Sequence, residues 1–146
     1  MKELNPETAL EKHYEMWNAM EQAEKEKEIV GKGIDRFEFR TNFKKEWCEQ
    51  KDEHPINYCY LCEYALQANL GYQNPQNCVD YINKDKTINI YMTREMCKHC
   101  PILWNEDRND NNCEQHDTNW TLSPIKDILA LSINTEEIKE YHINNT

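Results

Sequence analysis

Apolar side chains in the first part of the chain recur every three or four residues, which is the spacing of a helix with one buried face. The stripe consists of Leu10, Tyr14, Trp17 and Met20. Just upstream, Asn5 can cap the helix and Pro6 suits the first helical position. Gly31 and Gly33 are expected to stop it. The pattern predicts a long N-terminal helix whose stripe faces the core or a partner.

Further stretches of the chain carry helical patterns. A second helix is predicted over 34–50, where three aromatic side chains fall four residues apart and are expected to stack along one core-facing side. They are Phe39, Phe43 and Trp47. Near the end of the chain, Ser123 with Pro124 can cap one helix. Asn134, followed three residues later by Glu137, can cap another. These C-terminal helices are expected to close over the N-terminal one.

The middle of the chain is less regular. Residues 64–70 predict a short helix, and the aperiodic run 72–86 predicts a loop. Apolar and polar positions then alternate over 87–92, which predicts a strand. The run 105–112 is the most polar in the protein and is expected to be a mobile loop, because its spacing does not match a calcium-binding loop. The fold class predicted is α-rich with a small β element.

Two pairs of cysteines carry the clearest chemical signal. Cys59 and Cys62 form one pair, Cys97 and Cys100 the other, and 34 residues separate the pairs. Two intervening residues let a tight turn direct both thiolates at one metal ion. We therefore predict one structural Zn²⁺ held by these four cysteines, with the helices packed around it. Because four thiolates leave no open coordination position, the metal is not expected to be catalytic.

Other cysteine partitions remain open from the sequence. Cys113 and His116 follow the second pair after 12 residues, so the two sets could share a zinc in the manner of a short finger. The first pair would then recruit Cys48 or Cys78. A single zinc with three cysteines and His116 is a further alternative. Disulfides are the least favoured reading, because seven cysteines cannot all pair.

Length and composition indicate the number of domains, the size of the core and the location of the protein. A chain of 146 residues suits one zinc-stabilised domain, divided into a helical hairpin (1–53), a zinc module (54–122) and C-terminal helices (123–146). Only 38% of residues are apolar, so the metal is expected to compensate for a lean core. No basic-then-apolar leader opens the sequence and no apolar run reaches the about 18 residues of a membrane span. We expect a cytoplasmic protein without a membrane partner, in which thiols stay reduced.

Charge indicates the kind of partner. The formal net charge is −10, and acidic residues outnumber basic ones in both parts of the chain, 14 to 10 over 1–53 and 13 to 7 over 54–146. Duplex binding depends on Lys and Arg neutralising phosphates, and no basic run is present. Nucleic acid is therefore an unlikely partner, and the zinc module is expected to face another protein.

Several short segments together carry a resemblance. They are 9–13 (ALEKH) with Met16 and Trp17, 57–64 (NYCYLCEY), 100–104 (CPILW), Cys113, and Ser123 with Pro124. This combination resembles small cysteine-rich proteins of tailed bacteriophages and prophages. The resemblance covers about half the chain and implies a zinc fold and a phage setting, with the host cell cytoplasm as the location. It implies no activity, because the family is of uncharacterised function.

From these features we expect a small acidic zinc protein that binds and modulates or inhibits a host protein, such as a defence or nucleic-acid-processing factor. A nucleic-acid reader is the alternative. A His-Asn-His-type nuclease is less favoured, because residues 63–96 contain no histidine and His99 lies between two metal ligands. A protein that sequesters a signalling nucleotide would need the arginines to gather into one pocket. These are Arg36, Arg40, Arg94 and Arg108. The protein is not expected to be an enzyme.

Overall fold

The computed structural model describes residues 2–27, 35–69, 96–113, 116–118 and 120–145. Its α-helices in these ranges are α1 (Pro6–Glu26), α2 (Arg36–Gln50), α3 (Tyr60–Asn69), α4 (Ile125–Leu129) and α5 (Thr135–Asn144). Short 3₁₀ turns occur at Ile56–Tyr58 and Arg108–Asp110. The predicted α-rich class is confirmed. No helix in the described part of the chain is both long enough and apolar enough to cross a bilayer.

Helix α1 begins as its sequence predicts. The side chain of Asn5 accepts a hydrogen bond from the backbone N–H of Thr8 at 2.7 Å, and Pro6 occupies the first helical position. The helix ends at Glu26, and the glycines expected to stop it lie outside the described residues. Its buried side chains are Pro6, Ala9, Leu10, His13, Met16, Trp17 and Met20. The stripe therefore faces the core, although Tyr14 is only half-buried.

Helix α1 packs against each of α2, α3, α4 and α5, so it is the centre of the fold. The predicted closure of the C-terminal helices over it is confirmed. One end of its buried face joins an apolar cluster formed with residues from α2, α3 and α4. The members of this cluster are Met16, Trp17, Met20, Cys48, Tyr60, Ile125 and Ile128. Each large apolar side chain buried there contributes about 1.5–3 kcal/mol.

Helix α2 begins two residues later than the sequence pattern predicted. Asp35 caps it, because its side chain accepts hydrogen bonds from the N–H groups of Phe37 and Glu38. The predicted aromatic stack is present, with ring centroids 6.1 Å apart in both successive pairs. It consists of Phe39, Phe43 and Trp47, and all three rings are only half-buried. The fully buried side chains of α2 are instead Arg40 and Cys48.

Arg40 joins α2 to α1 and to the chain before α4. Its guanidinium donates to Glu24 Oε1 at 2.8 Å and to the carbonyls of Trp120 and Ser123 at 2.9 and 2.7 Å. The guanidinium also lies 5.6 Å from the ring of Trp17. A buried charge needs partners of this kind to offset its desolvation. The guanidinium of Arg40 therefore forms its contacts inside the protein.

The middle region differs from its predicted outline. Helix α3 contains most of the predicted helix 64–70 but starts earlier, at Tyr60, inside the first cysteine pair. The predicted loop 72–86 and strand 87–92 lie outside the described residues. The described β pairing is an isolated antiparallel bridge between Ile102 and Ile133.

The run 105–112 was expected to be a mobile loop, and it is an irregular segment whose last two residues are anchored in the fold. The run contains the 3₁₀ turn Arg108–Asp110, and the two residues after that turn are buried. Asn111 is 1% exposed and Asn112 is 8% exposed. Some polar side chains of this run therefore form hydrogen bonds with the backbone inside the fold, and others lie in solvent.

Candidate metal centre

The first cysteine pair lies at the start of α3. Asn57 and Tyr58 both have left-handed φ angles, 55° and 51°, and together they turn the chain into Cys59. This conformation costs free energy for residues other than glycine, of the order of 1–2 kcal/mol each. The backbone N–H of Cys62 then donates to the Cys59 sulfur at 3.3 Å. Both thiols of the pair are consequently held on the same side of the turn.

The second pair lies in a single helical turn. The N–H of Cys100 donates to the carbonyl of Cys97 at 3.0 Å, and His99 N–H donates to the carbonyl of Met96 at 3.0 Å. Beyond the turn, the backbone N–H of Ile102 donates to the Cys100 sulfur. Cys59 and Cys100 therefore both accept backbone hydrogen bonds from residues two or three positions later.

A side-chain donor is also directed at Cys100. The indole Nε1 of Trp104 is buried without a conventional hydrogen-bond partner among the described residues. The group that it faces is the sulfur of Cys100, and this contact favours the thiolate. An indole N–H is a donor only, so a buried one gains from a negatively charged sulfur nearby.

Asn111 attaches the polar run to the second pair. Its Oδ1 accepts from the N–H of Trp104, and its Nδ2 donates to the carbonyls of Cys97 and Ile102 at 3.1 and 2.8 Å. Cys113 follows two residues later. The amide of Asn111 therefore determines where this third cysteine segment lies.

The thiols meet around one small space. Cys59 and Cys100 belong to the same buried cluster, and Cys62 and Cys113 pack against it. The volume of the cavity between them is about 10 Å³, measured for the centre of a water-sized sphere. This is room for one water molecule or one ion. It is lined by Leu61, Cys62, Ala65, Met96, Cys97, Cys100, Trp104, Cys113 and Trp120.

Electrostatic coupling follows from this proximity. A hydrogen bond from Cys62, the largest cause, lowers the pKa of Cys59 to about 7. That same thiol contact, followed by burial, raises the pKa of Cys62, and charges at Cys113 and Cys100 raise it further. Burial, then Cys113 and Cys59, raises the pKa of Cys100. A divalent cation reverses such mutual repulsion between thiolates.

All four predicted ligands thus lie at or beside one cavity. Within the described ranges, however, no three His, Cys, Asp or Glu side chains are set together as a formed metal centre. The residues nonetheless fit a zinc ion. The donors are sulfurs, which zinc accepts readily, the space suits one ion, and the buried indole N–H faces a sulfur.

The other predicted candidates occupy different roles. His116 packs edge-on against Trp104 with ring centroids 5.8 Å apart, and its Nδ1 accepts from the N–H of Thr118 at 3.0 Å. Cys48, named as a possible ligand in one alternative, is a fully buried thiol 3.7 Å from the hydroxyl of Tyr60. Cys78 lies outside the described residues.

Sequence reasoning missed the role of Glu137 beside this centre. The side chain of Asn134 caps α5 by accepting from Glu137 N–H, as the sequence predicts. The Glu137 carboxylate, 3% exposed, accepts from Tyr64 Oη at 2.7 Å, contacts His99 Nδ1 at 3.0 Å and pairs with Arg108. Its position three residues after a capping residue was the available signal. It links α5, α3 and the second cysteine turn.

The arginines do not form a common pocket in the described residues. Arg36 donates to the carbonyl of Leu122, Arg40 is committed internally, and Arg108 pairs with Glu137 and Glu140. Arg94 lies outside the described residues. The nucleotide-sequestering alternative gains no support from this arrangement.

Comparison with known proteins gives no relative: no family model matches the chain, and neither a curated protein nor a solved structure matches it.

Proposed function

We propose that this chain is a small acidic interaction protein, stabilised by one structural Zn²⁺. We further propose that it is phage-encoded and acts in the cytoplasm of the host cell, where it binds a host protein and inhibits or redirects it. A defence factor or a nucleic-acid-processing enzyme is the kind of target we infer. Under this proposal the protein carries out no chemical reaction itself.

The zinc part of the proposal is supported by the convergence of the cysteine segments on one small cavity. Zinc, when bound, would tie together α3, the second cysteine turn and the run that ends at Cys113. The chain supplies the thiols, the backbone N–H groups that favour their thiolate forms, and the apolar walls that exclude water. Leu61, Ala65 and Met96 form part of those walls.

The observation that carries the interaction part is the incomplete burial of the aromatic side chains of α2, although three of them pack against the core cluster on one side. The stack of Phe39, Phe43 and Trp47 is only half-buried, and Phe37 on the same helix is 54% exposed. Aromatic side chains are enriched at protein interfaces because a rigid ring buries a large area at a small entropic cost. A helix that buries mainly Arg40 and Cys48 has aromatic surface left for a partner.

The charge of the chain supports a partner with a basic surface. The net charge is −10, and exposed carboxylates occur on both α1 and α2. They include Glu11, Glu15, Glu38, Glu46 and Glu49. Complementary charge steers association and discourages acidic competitors. Proteins that bind nucleic acid offer such basic surfaces, which favours them as targets.

The test is a pull-down from bacterial lysate with the tagged full chain. We expect one host protein in stoichiometric amount, and we expect Phe37→Ser to weaken its capture. Ile143→Ser is the matched control, because Ile143 is 72% exposed on α5, away from α2 in sequence. If both variants and the wild type capture the host protein equally, the proposed role of α2 in binding is contradicted. Binding to DNA or heparin that survives physiological salt would favour a nucleic-acid reader instead.

A further inference from the structure

We infer that the four zinc ligands are Cys59, Cys62, Cys100 and Cys113, so that Cys113 takes the place that the sequence assigns to Cys97. This inference rests on the zinc centre proposed above and specifies its ligands. It makes the centre a union of three chain segments, two of which are joined by the amide of Asn111.

The turns that contain Cys59 and Cys100 share one geometry. The Cys59 sulfur accepts N–H groups from Leu61 and Cys62, and the Cys100 sulfur accepts the N–H of Ile102. Backbone donors placed in this way stabilise thiolates and orient them. Cys59 and Cys100 therefore have the same kind of backbone support, as expected of two thiolates that bind one ion.

Cys113 is the thiol that the fold brings there. It packs on the buried cluster that contains Cys59 and Cys100, and it lines the same cavity as Cys62 and Cys100. It also lies within electrostatic range of both Cys62 and Cys100. Apolar packing therefore groups Cys59, Cys62, Cys100 and Cys113, and the charge interactions link the same four. Cys97 also lines the cavity, so the experiment below compares it directly with Cys113.

Asn111 is the positioning residue for this arrangement. Burying an amide is unfavourable unless its hydrogen bonds are made. Asn111 is 1% exposed and bonds the backbone at Trp104, Cys97 and Ile102. These bonds fix the run after the 3₁₀ turn against the second cysteine turn. Cys113, two residues further, is carried to the cavity.

Cys97 contributes to the same arrangement through its main chain. Its carbonyl accepts from Asn111 Nδ2 at 3.1 Å and from Cys100 N–H at 3.0 Å. Both bonds are independent of the side chain. A serine at this position therefore preserves the turn and the attachment of Asn111, which makes Cys97→Ser the matched control for Cys113→Ser.

The test measures zinc in the purified full chain by elemental analysis and by competition with a chelator. We expect one zinc per wild-type chain. Cys113→Ser and Cys59→Ser should weaken zinc binding by about 100-fold or more, because each removes a ligand. Cys97→Ser should stay within about 3-fold of the wild type, because it leaves the ligands and their hydrogen-bonded supports in place.

A second measurement covers the case in which a serine variant fails to fold. Cobalt(II) replaces zinc in thiolate sites, and its sulfur-to-metal charge-transfer absorbance grows with the number of thiolates bound. Cys113→His should keep the metal while this absorbance falls by about one quarter, since one sulfur of four becomes a nitrogen. Cys97→His should leave the spectrum unchanged.

The outcomes separate the two proposals. If Cys97→Ser loses zinc and Cys113→Ser keeps it, the ligand set is overturned while the zinc centre stands with the set Cys59, Cys62, Cys97 and Cys100. An unchanged cobalt spectrum in Cys113→His also overturns the set. If the wild type binds no stoichiometric zinc, the zinc part of the proposed function fails and this inference fails with it.

Discussion

The inner face of α1 and the segment 97–112 both contribute buried residues, but they satisfy their polar groups in different ways. Helix α1 pairs its backbone groups along its own axis and needs only the Asn5 cap at its start. The segment is irregular, and side-chain amides supply much of its hydrogen bonding. Asn111 bonds it from within, and Asn134 Nδ2 donates to the carbonyls of Lys98 and Cys100 from the start of α5.

The difference shows where each region is vulnerable. Removing an apolar side chain from α1 leaves a cavity, whose cost depends on the volume lost. Removing an amide from the segment leaves several buried N–H and C=O groups unpaired at once. The first loss is graded with side-chain size, whereas the second depends mainly on how many buried polar groups lose their hydrogen-bond partner.

The largest effect is expected from Asn111→Ala. This change removes the partner of two backbone N–H groups, those of Trp104 and Asn105, and of two backbone carbonyls. We therefore expect the free energy of unfolding to fall by about 4 kcal/mol. Denaturant unfolding measures it. Asn109→Ala is the control, because Asn109 is exposed on the same run, and it should cost less than about 0.5 kcal/mol. Equal effects of the two changes would contradict the anchoring role.

A somewhat smaller effect is expected from Met20→Ala in α1. Met20 is 0% exposed among Trp17, Ile125 and Ile128, and its truncation should cost about 3 kcal/mol. Met20→Leu nearly conserves volume and should cost less than about 1.5 kcal/mol. The contrast tests whether volume governs this region. A large loss in the leucine variant would speak against it.

His13 gives the α1 face a dependence on pH. Burial, with a smaller effect of the Lys44 charge, lowers its pKa from 6.5 to about 3. The native state therefore resists protonation that the unfolded chain accepts. The stabilisation is present above about pH 6.5 and is lost as the pH falls toward about 3.

His13→Phe should remove this dependence. Relative to this variant, the wild type should lose about 2 kcal/mol of unfolding free energy between about pH 7 and about pH 5. Parallel unfolding curves at both pH values measure the difference. Release of metal at the lower pH affects both proteins and cancels. Equal pH dependence in the two would show that His13 accepts a proton in the folded state.

The smallest effect is a difference between two helix caps. Asn5→Ala removes one cap bond from α1 and should cost about 1 kcal/mol. Asn134→Ala removes a cap bond from α5 together with its donations to Lys98 and Cys100, so it should cost about 1 kcal/mol more. Thermal unfolding of both variants tests the ranking. The reverse order would contradict the second role of Asn134.

The local features of the chain were predictable because they depend on near neighbours in sequence. The α1 stripe, the Asn5 cap, the aromatic stack on α2 and the Asn134 cap all follow from spacings of four residues or fewer. The cysteine spacing likewise gives the two turns. What such spacing cannot give is the order of the segments around one cavity.

Only the tertiary structure decided which distant groups meet. Spacing paired Cys97 with Cys100, whereas packing brought Cys113 to the cavity through the buried amide of Asn111. In the same way it set Glu137 against Tyr64, 73 residues away. The sequence by itself determined the helices, because their hydrogen bonds and faces are local. The surroundings of the thiols depended on long-range contacts between irregular segments, for which no periodic pattern exists.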